Sequence, residues 1–145
     1  MNDFRQQYEL YLKAVANANE LNKTVVFDAL AAACLTRVTV EFDGEGDSGQ
    51  INGIAAHAGE APAELPSTSL KLHRAPQNGG DLRTAEATLR DAIETLCYDY
   101  LSQTHGGWEN NDGAYGEFIF DVAERTITLD YNERHRQSDY SQHVF

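Results

Sequence analysis

The stretch EFIFDVAERTITLDY, at residues 117–131, decides the fold class of this chain. Large apolar side chains occupy every second position on both sides of the Ala123-Glu124-Arg125 segment, and this period of two is typical of half-buried β-strands. The segment between the two runs is short enough to form a turn. The sequence therefore predicts a β-hairpin over residues 115–132, with one apolar and one polar face.

A second hairpin is predicted earlier in the chain, over residues 36–57. Apolar residues alternate with polar ones from Val38 to Phe42, and the glycine-rich run DGEGDSG at 43–49 is typical of a loop between strands. Residues 51–56 can return as the partner strand. The two hairpins together predict an antiparallel sheet of about four strands.

Helices are predicted where apolar residues recur at intervals of three and four. Residues 1–35 are interpreted as two antiparallel helices, because asparagines interrupt the apolar pattern and Asn22 or Thr24 can cap a second helix. A third, strongly periodic helix is predicted over residues 81–104.

The remaining segments are predicted as connections. Residues 58–80 contain prolines and glycines and are interpreted as a connector, in which 69–73 can add a short edge strand. Residues 133–145 form a tail, and docking of this tail on the domain is favoured over a free partner-binding arm. The sequence thus predicts one α+β domain over residues 1–145, in the order α-α-β-β-α-β-β, with three helices packed on one face of the sheet.

The charge of the chain is strongly unbalanced. Lys and Arg total 11, Asp and Glu total 23, and the formal net charge is -12. Direct nucleic-acid binding is not expected, because gripping a phosphate backbone needs Lys and Arg. No apolar run approaches the ~20 residues of a membrane helix, and the first residues lack a signal-peptide pattern, so a cytoplasmic location is expected. Cys34 and Cys97 are accordingly interpreted as two buried thiols rather than a disulfide.

The carboxylates are concentrated in two stretches that contain no Lys or Arg. Six lie between Arg37 and Lys71 and eight between Arg90 and Arg125, which together make 14 of the 23 acidic residues. A continuous negative surface attracts basic partners and speeds their encounter. The alternative interpretation is an acidic surface that serves only solubility.

From this distribution we predict a non-enzymatic binding protein that presents a carboxylate-rich face to a basic surface of a protein partner, such as a surface that normally holds nucleic acid. If the two hairpins share a sheet, the residues expected on its solvent face include Glu41, Glu117 and Asp130. The predicted partner-binding residues are Glu41, Asp43, Glu45, Asp47, Trp108, Glu109, Asp112 and Glu117.

An enzymatic alternative rests on the segment HGGWENNDG at residues 105–113, which gathers the only Trp with a His, two carboxylates and two amides. In this alternative His105, Glu109 and Asp112 form the site of a small hydrolase or a metal-assisted enzyme. A helix stop followed by a turn is the favoured interpretation, because no nucleophile or metal-ligand partner stands at a recognised spacing. No cofactor and no metal site are expected.

Three runs resemble an uncharacterised protein family encoded on bacterial plasmids and genomic islands. They are GGWENNDGAYGEF at 106–118, ITLDYNER at 127–134 and FDGEGDSGQI at 42–51. The resemblance covers roughly residues 36–145, and it brings no activity and no catalytic residues. The resemblance implies that the protein is encoded as cargo of a mobile element. Such cargo includes anti-defence inhibitors and plasmid accessory factors, and small acidic inhibitors of nucleic-acid machinery are compatible with it.

Overall fold

A computed structural model describes residues 3–45, 48–76, 81–104, 113–133 and 139–145 of the chain. These ranges contain two helices, α1 (Asp3–Ala32) and α2 (Leu89–Thr104). They contain eight strands: β1 (Arg37–Glu45), β2 (Ser48–Ala58), β3 (Ala61–Ala63), β4 (Ser69–Arg74), β5 (Arg83–Thr88), β6 (Ala114–Asp121), β7 (Thr126–Glu133) and β8 (Asp139–Val144). The prediction of three helices with about four strands is therefore wrong.

Six of these strands form one sheet in the order β3-β2-β1-β6-β7-β8, and every pairing in it is antiparallel. The two predicted hairpins, β1–β2 and β6–β7, are its four inner strands and meet through β1 and β6. β3 comes from the predicted connector and β8 from the predicted tail, and each adds one edge strand. β4 and β5 pair only with each other, in a separate two-stranded sheet.

The register between β1 and β6 builds one apolar face. Val38 lies opposite Phe120 and Val40 lies opposite Phe118, and all four side chains are fully buried. β7 continues the same face with its own alternating apolar residues. Burying each of these side chains contributes roughly 1.5–3 kcal/mol. Since a slip of one residue would exchange the apolar face for the polar one, burial holds the register.

Contacts between residues divide the chain into two compact units. The first unit comprises residues 1–29 and 66–96, and it contains most of α1, the β4–β5 hairpin and the start of α2. The second unit comprises residues 30–65 and 97–145, and it contains the six-stranded sheet and the rest of α2. In the described ranges, neither helix combines the length and the apolar character that a membrane span requires.

The second half of α2 contacts the six-stranded sheet through two tyrosines. The hydroxyl group of Tyr98 accepts a hydrogen bond from the amide of Ile51 at 3.0 Å. The ring of Tyr100 stacks on that of Phe145, with 4.4 Å between ring centroids and 7° between planes. Phe145 exchanges two backbone hydrogen bonds with Ile127, so the end of the chain is held against β7.

One continuous helix replaces the two helices predicted in residues 1–35. Asn22 is buried within α1 and does not cap a helix. Its Nδ2 donates to the carbonyl of His73 at 3.0 Å, and its Oδ1 accepts from the amide of His73 at 2.7 Å. Thr24 bonds to the carbonyl of Glu20 one turn back, which is compatible with a helix interior. Because β4 supplies partners for Asn22, α1 continues where the apolar pattern is interrupted.

The helix predicted over residues 81–104 begins only at Leu89. Residues Arg83–Thr88 form β5, which pairs with β4 along its whole length. The hydroxyl group of Thr88 accepts a hydrogen bond from the amide of Asp91 at 3.1 Å and caps α2. Pairing with β4 thus overrides the local preference for an earlier helix start.

The first helix ends at Ala32 and is followed by Cys34, which adopts a left-handed conformation with φ of 60°. The amide of Cys34 donates to Ala31 at 3.0 Å and that of Leu35 donates to Leu30 at 3.1 Å, which are the two bonds of a Schellman motif. Cys34 and Cys97 are both free thiols. Cys97 is buried, but Cys34 is exposed, so the interpretation as a buried thiol is wrong for Cys34.

Replacing Cys34 with Gly should raise the free energy of unfolding by about 1 kcal/mol, because glycine adopts positive φ without the strain that a Cβ atom causes. Urea unfolding under reducing conditions measures the change. Cys34→Ala is the matched control, since it keeps the Cβ atom and should shift stability by less than about 0.5 kcal/mol. Equal stability of the Gly and Ala variants would contradict a strained helix end.

Replacing Asn22 with Ala should lower the free energy of unfolding by about 2 kcal/mol, because the amide and carbonyl of His73 lose their partners. Asn17→Ala on the same helix removes an exposed side chain and should cost less than about 0.5 kcal/mol. Thermal and urea unfolding of both variants provide the comparison. A loss no larger for Asn22 than for Asn17 would show that the pair of hydrogen bonds does not hold α1 to β4.

Candidate functional site

Three carboxylates lie in one cross-strand row on the polar face of the six-stranded sheet. Glu41 of β1 pairs with Glu117 of β6, and Glu117 pairs with Asp130 of β7. We call these three residues the acidic row. The two hairpins therefore share one sheet, and their alternating carboxylates meet on its polar face.

The alternation of the strands places the acidic row directly above an aromatic layer of the core. Phe42 follows Glu41 in β1 and points to the buried face, where it is 2% exposed. Its ring lies 5.6 Å from that of Phe118 and 6.3 Å from that of Tyr131, measured between centroids. Close packing below the sheet keeps the strands that carry the acidic row in a defined position.

The neighbouring row on the same face continues the site. Asp43 pairs with Tyr115, and Tyr115 pairs with Asn132. Tyr115 is 39% exposed, so an aromatic surface stands beside the carboxylates. An open depression of about 510 Å³ runs over both rows. Its lining consists of Glu41, Phe42, Asp43, Asn52, Tyr115, Gly116, Glu117, Asp130 and Asn132.

A β-bulge and a glycine shape this depression. Glu41 pairs with Gly53 whereas Phe42 pairs with Ile51, so Asn52 is an extra residue in β2 and lines the depression. Gly116 lies in the floor, where a Cβ atom would overlap the carbonyl oxygen of Asp130. Only glycine allows the backbones of β6 and β7 to approach so closely there.

Like charges stand directly opposite each other within the acidic row. Such pairs on neighbouring strands destabilise the pairing, by roughly 0.2–1 kcal/mol for each pair. Asp130 accepts a hydrogen bond from Nε2 of Gln142 on β8 at 2.8 Å, which supports its orientation.

The structure brings together part of the site predicted from the sequence. Glu41, Asp43 and Glu117 line one depression. Glu45 ends β1, and nothing is described of its side chain. The other predicted partner-binding residues lie outside the described ranges; they are Asp47, Trp108, Glu109 and Asp112. The residues of the enzymatic alternative, His105, Glu109 and Asp112, lie outside these ranges as well.

Four lining residues with polar side chains were not among the predicted site residues. Asp130 and Asn132 occupy polar positions of β7, so strand alternation places them on the polar face of the sheet. The pairing of β6 with β7 then brings them beside Glu117 and Tyr115. Tyr115 was assigned to the edge of the second hairpin without a role. Asn52 enters through the bulge, for which the sequence carries no local signal.

The donor set of the depression is suited to binding cations. The described residues of its lining offer carboxylates, amides and one phenol. In the part of the chain that the structure describes, no three His, Cys, Asp or Glu side chains form a group that holds a metal ion. Carboxylates with an aromatic neighbour are typical partners of guanidinium and ammonium groups.

A family model described as a family of unknown function, DUF6878, matches residues 18–145. The chain belongs to DUF6878. The resemblance to an uncharacterised family is thereby confirmed, and the match extends beyond residues 36–145 into α1. Every lining residue of the depression lies inside the DUF6878 region. No curated protein and no solved structure matches the chain.

Replacing Glu117 with Gln should raise the free energy of unfolding by about 0.5 kcal/mol at low ionic strength, because the central charge of the acidic row is removed. The gain should shrink in about 1 M salt, which screens exposed charges. Urea unfolding at both salt concentrations measures it. Glu60→Gln, at an exposed position outside the depression, is the control and should change stability little at either salt concentration. Destabilisation by Glu117→Gln at low salt would contradict the repulsion.

Proposed function

We propose that this DUF6878 protein is a non-enzymatic binding protein whose acidic row docks on a basic surface of a protein partner. The observation that carries the proposal is the register of Glu41, Glu117 and Asp130 on three adjacent strands. Folding alone favours separated charges, so a row of carboxylates at the centre of a sheet is better explained by a positively charged partner.

The surroundings of the acidic row favour Arg and Lys side chains as the groups that are bound. Carboxylates form charge-assisted hydrogen bonds with guanidinium and ammonium groups, and Arg can bind one carboxylate through two parallel bonds. The exposed ring of Tyr115 adds a face for cation–π contact, worth roughly 0.5–1 kcal/mol at an exposed site. The amides of Asn52 and Asn132 can satisfy the remaining polar groups of a partner.

The proposal includes a partner class and a biological setting. A protein surface that normally holds nucleic acid carries the Lys and Arg that complement this face. The resemblance to proteins of plasmids and genomic islands favours an inhibitor or accessory factor of a mobile element, and anti-defence action is one role of this kind. A cytoplasmic location belongs to the same proposal.

Reversing the charge of the acidic row tests this function. The double variant Glu41→Lys with Glu117→Lys should bind a fluorescent oligoarginine peptide about tenfold more weakly than the wild type, as measured by anisotropy at low salt. Moderate salt should weaken the wild-type complex, because exposed charges are screened. Circular dichroism and thermal unfolding verify that the double variant is folded.

A charge-matched control separates a site from an effect of net charge. Glu60→Lys with Glu64→Lys makes the same change in net charge at exposed positions outside the depression, and peptide affinity should stay within about twofold of the wild type. Equal weakening by the two double variants would show that only the total charge matters. Unchanged binding by the acidic-row variant would overturn the proposal as well. Pull-downs from the native host with the same three proteins extend the test to natural partners.

A further inference from the structure

The β4–β5 hairpin has two edges that differ in how their backbone groups are satisfied. On the β4 side, the side chain of Asn22 pairs with both backbone groups of His73. On the β5 side, no described residue bonds to the outward backbone groups of Thr84 and Glu86. On the β4 edge the outward groups of His73 are thus satisfied, and we call the β5 edge the open edge because no described residue bonds to its outward groups at Thr84 and Glu86.

Two observations establish which groups of β5 point outward. The amide of Leu89 donates to the carbonyl of Thr68 at 3.0 Å, which continues the β4–β5 ladder by one hydrogen-bonded pair. The backbone of His73 bonds to Asn22, so it points away from β5. In an antiparallel ladder the two kinds of pair alternate. The alternation directs the amide and carbonyl groups of Thr84 and Glu86 away from β4.

The open edge is accessible and its strand is little buried. Residues 83–86 are all exposed, although they belong to a regular strand. β5 contains no Pro or Gly that would blunt it as an edge. A two-stranded ribbon is marginally stable by itself, so a further strand at this edge would add hydrogen bonds that the hairpin lacks.

We propose that the open edge of β5 pairs antiparallel with β5 of a second copy of this chain, around a two-fold axis at Ala85. Thr84 of each copy then exchanges two backbone hydrogen bonds with Glu86 of the other copy. The result is a four-stranded sheet in the order β4-β5-β5-β4. The contact is isologous and closes as a dimer, which removes the open edge. It uses a surface other than the acidic row and does not depend on the proposed function.

The charges of β5 and the number of its residues that pair together select this register among the antiparallel alternatives. With Ala85 on the axis, residues 83–87 of each copy are paired, and Glu86 faces Thr84 rather than another carboxylate. Moving the axis to Glu86 would place two carboxylates directly opposite each other, which is unfavourable. Moving the axis to Thr84 would pair Glu86 with Leu82, which lies outside β5.

Both faces of the four-stranded sheet are compatible with this register. On one face Leu72, which is 4% exposed, lies opposite Ala85, so an apolar stripe of Leu72 and Ala85 continues into the second copy. On the other face Lys71 lies opposite Glu86, and the hydroxyl group of Thr84 of the second copy is its next neighbour. Cross-strand pairs of opposite charge and of apolar side chains are favourable, so both faces are compatible with the proposed pairing.

Sedimentation of the full chain from about 5 to about 500 µM tests the dimer, and we expect a dissociation constant on the order of 100 µM because the interface is small. Thr84→Pro removes an outward amide while the β4–β5 ladder keeps all its bonds, and it should weaken dimerisation about tenfold or more. Thr84→Val keeps the amide and should dimerise like the wild type. Thermal unfolding at low concentration verifies that both variants are folded.

Disulfide crosslinking tests the register and remains decisive if Thr84→Pro fails to fold. In a Cys34→Ser background, Ala85→Cys should give a crosslinked dimer on mild oxidation, because the two side chains meet at the axis. Ala87→Cys should stay monomeric, since Ala87 faces Arg83 of the second copy. Any one of three results would overturn the proposal. They are a wild type that is monomeric at every concentration, a folded Thr84→Pro variant that dimerises like the wild type, and equal crosslinking at positions 85 and 87.

Discussion

The register between β1 and β6 is the constraint on which the rest of the second unit depends. Val38 opposite Phe120 and Val40 opposite Phe118 bury four side chains in one layer. Because side chains alternate strictly along a strand, the same register must place Glu41 beside Glu117 on the opposite face. The core and the acidic row are therefore two consequences of one pairing, and neither can move without the other.

The acidic row lowers the stability of the sheet that carries it. The buried face supplies a large favourable term, which tolerates a few tenths of a kcal/mol of repulsion on the other face. Proteins commonly keep such locally unfavourable arrangements where a partner later compensates them. The bulge at Asn52 interrupts the regularity of β2, and Gly116 leaves a strand position without a side chain; both residues contribute to the lining of the depression.

In the first unit, a side chain of the helix satisfies backbone groups of a strand. Asn22 is a buried polar residue inside a helix, and it acts towards His73 as a neighbouring strand would, with one donor and one acceptor. This contact accounts for the continuity of α1 at Asn22 and satisfies the outward backbone groups of β4 at His73. On β5 the outward groups of Thr84 and Glu86 have no bonding partner among the described residues, which makes the open edge the natural place for a further strand.

The sequence by itself determined the two inner hairpins and the polar positions of Glu41, Asp43 and Glu117, because a period of two is a local property that each strand carries alone. It did not determine the two outer strands, the continuity of α1, the start of α2 at Leu89 or the part of Asn52 in the site. Each of these depends on a partner outside the segment itself: His73, 51 residues away, for Asn22, and the preceding strands β4 and β7 for β5 and β8. Local preference yields where a backbone group of another segment offers a hydrogen bond that the segment cannot supply for itself, and only the tertiary structure decides which groups meet.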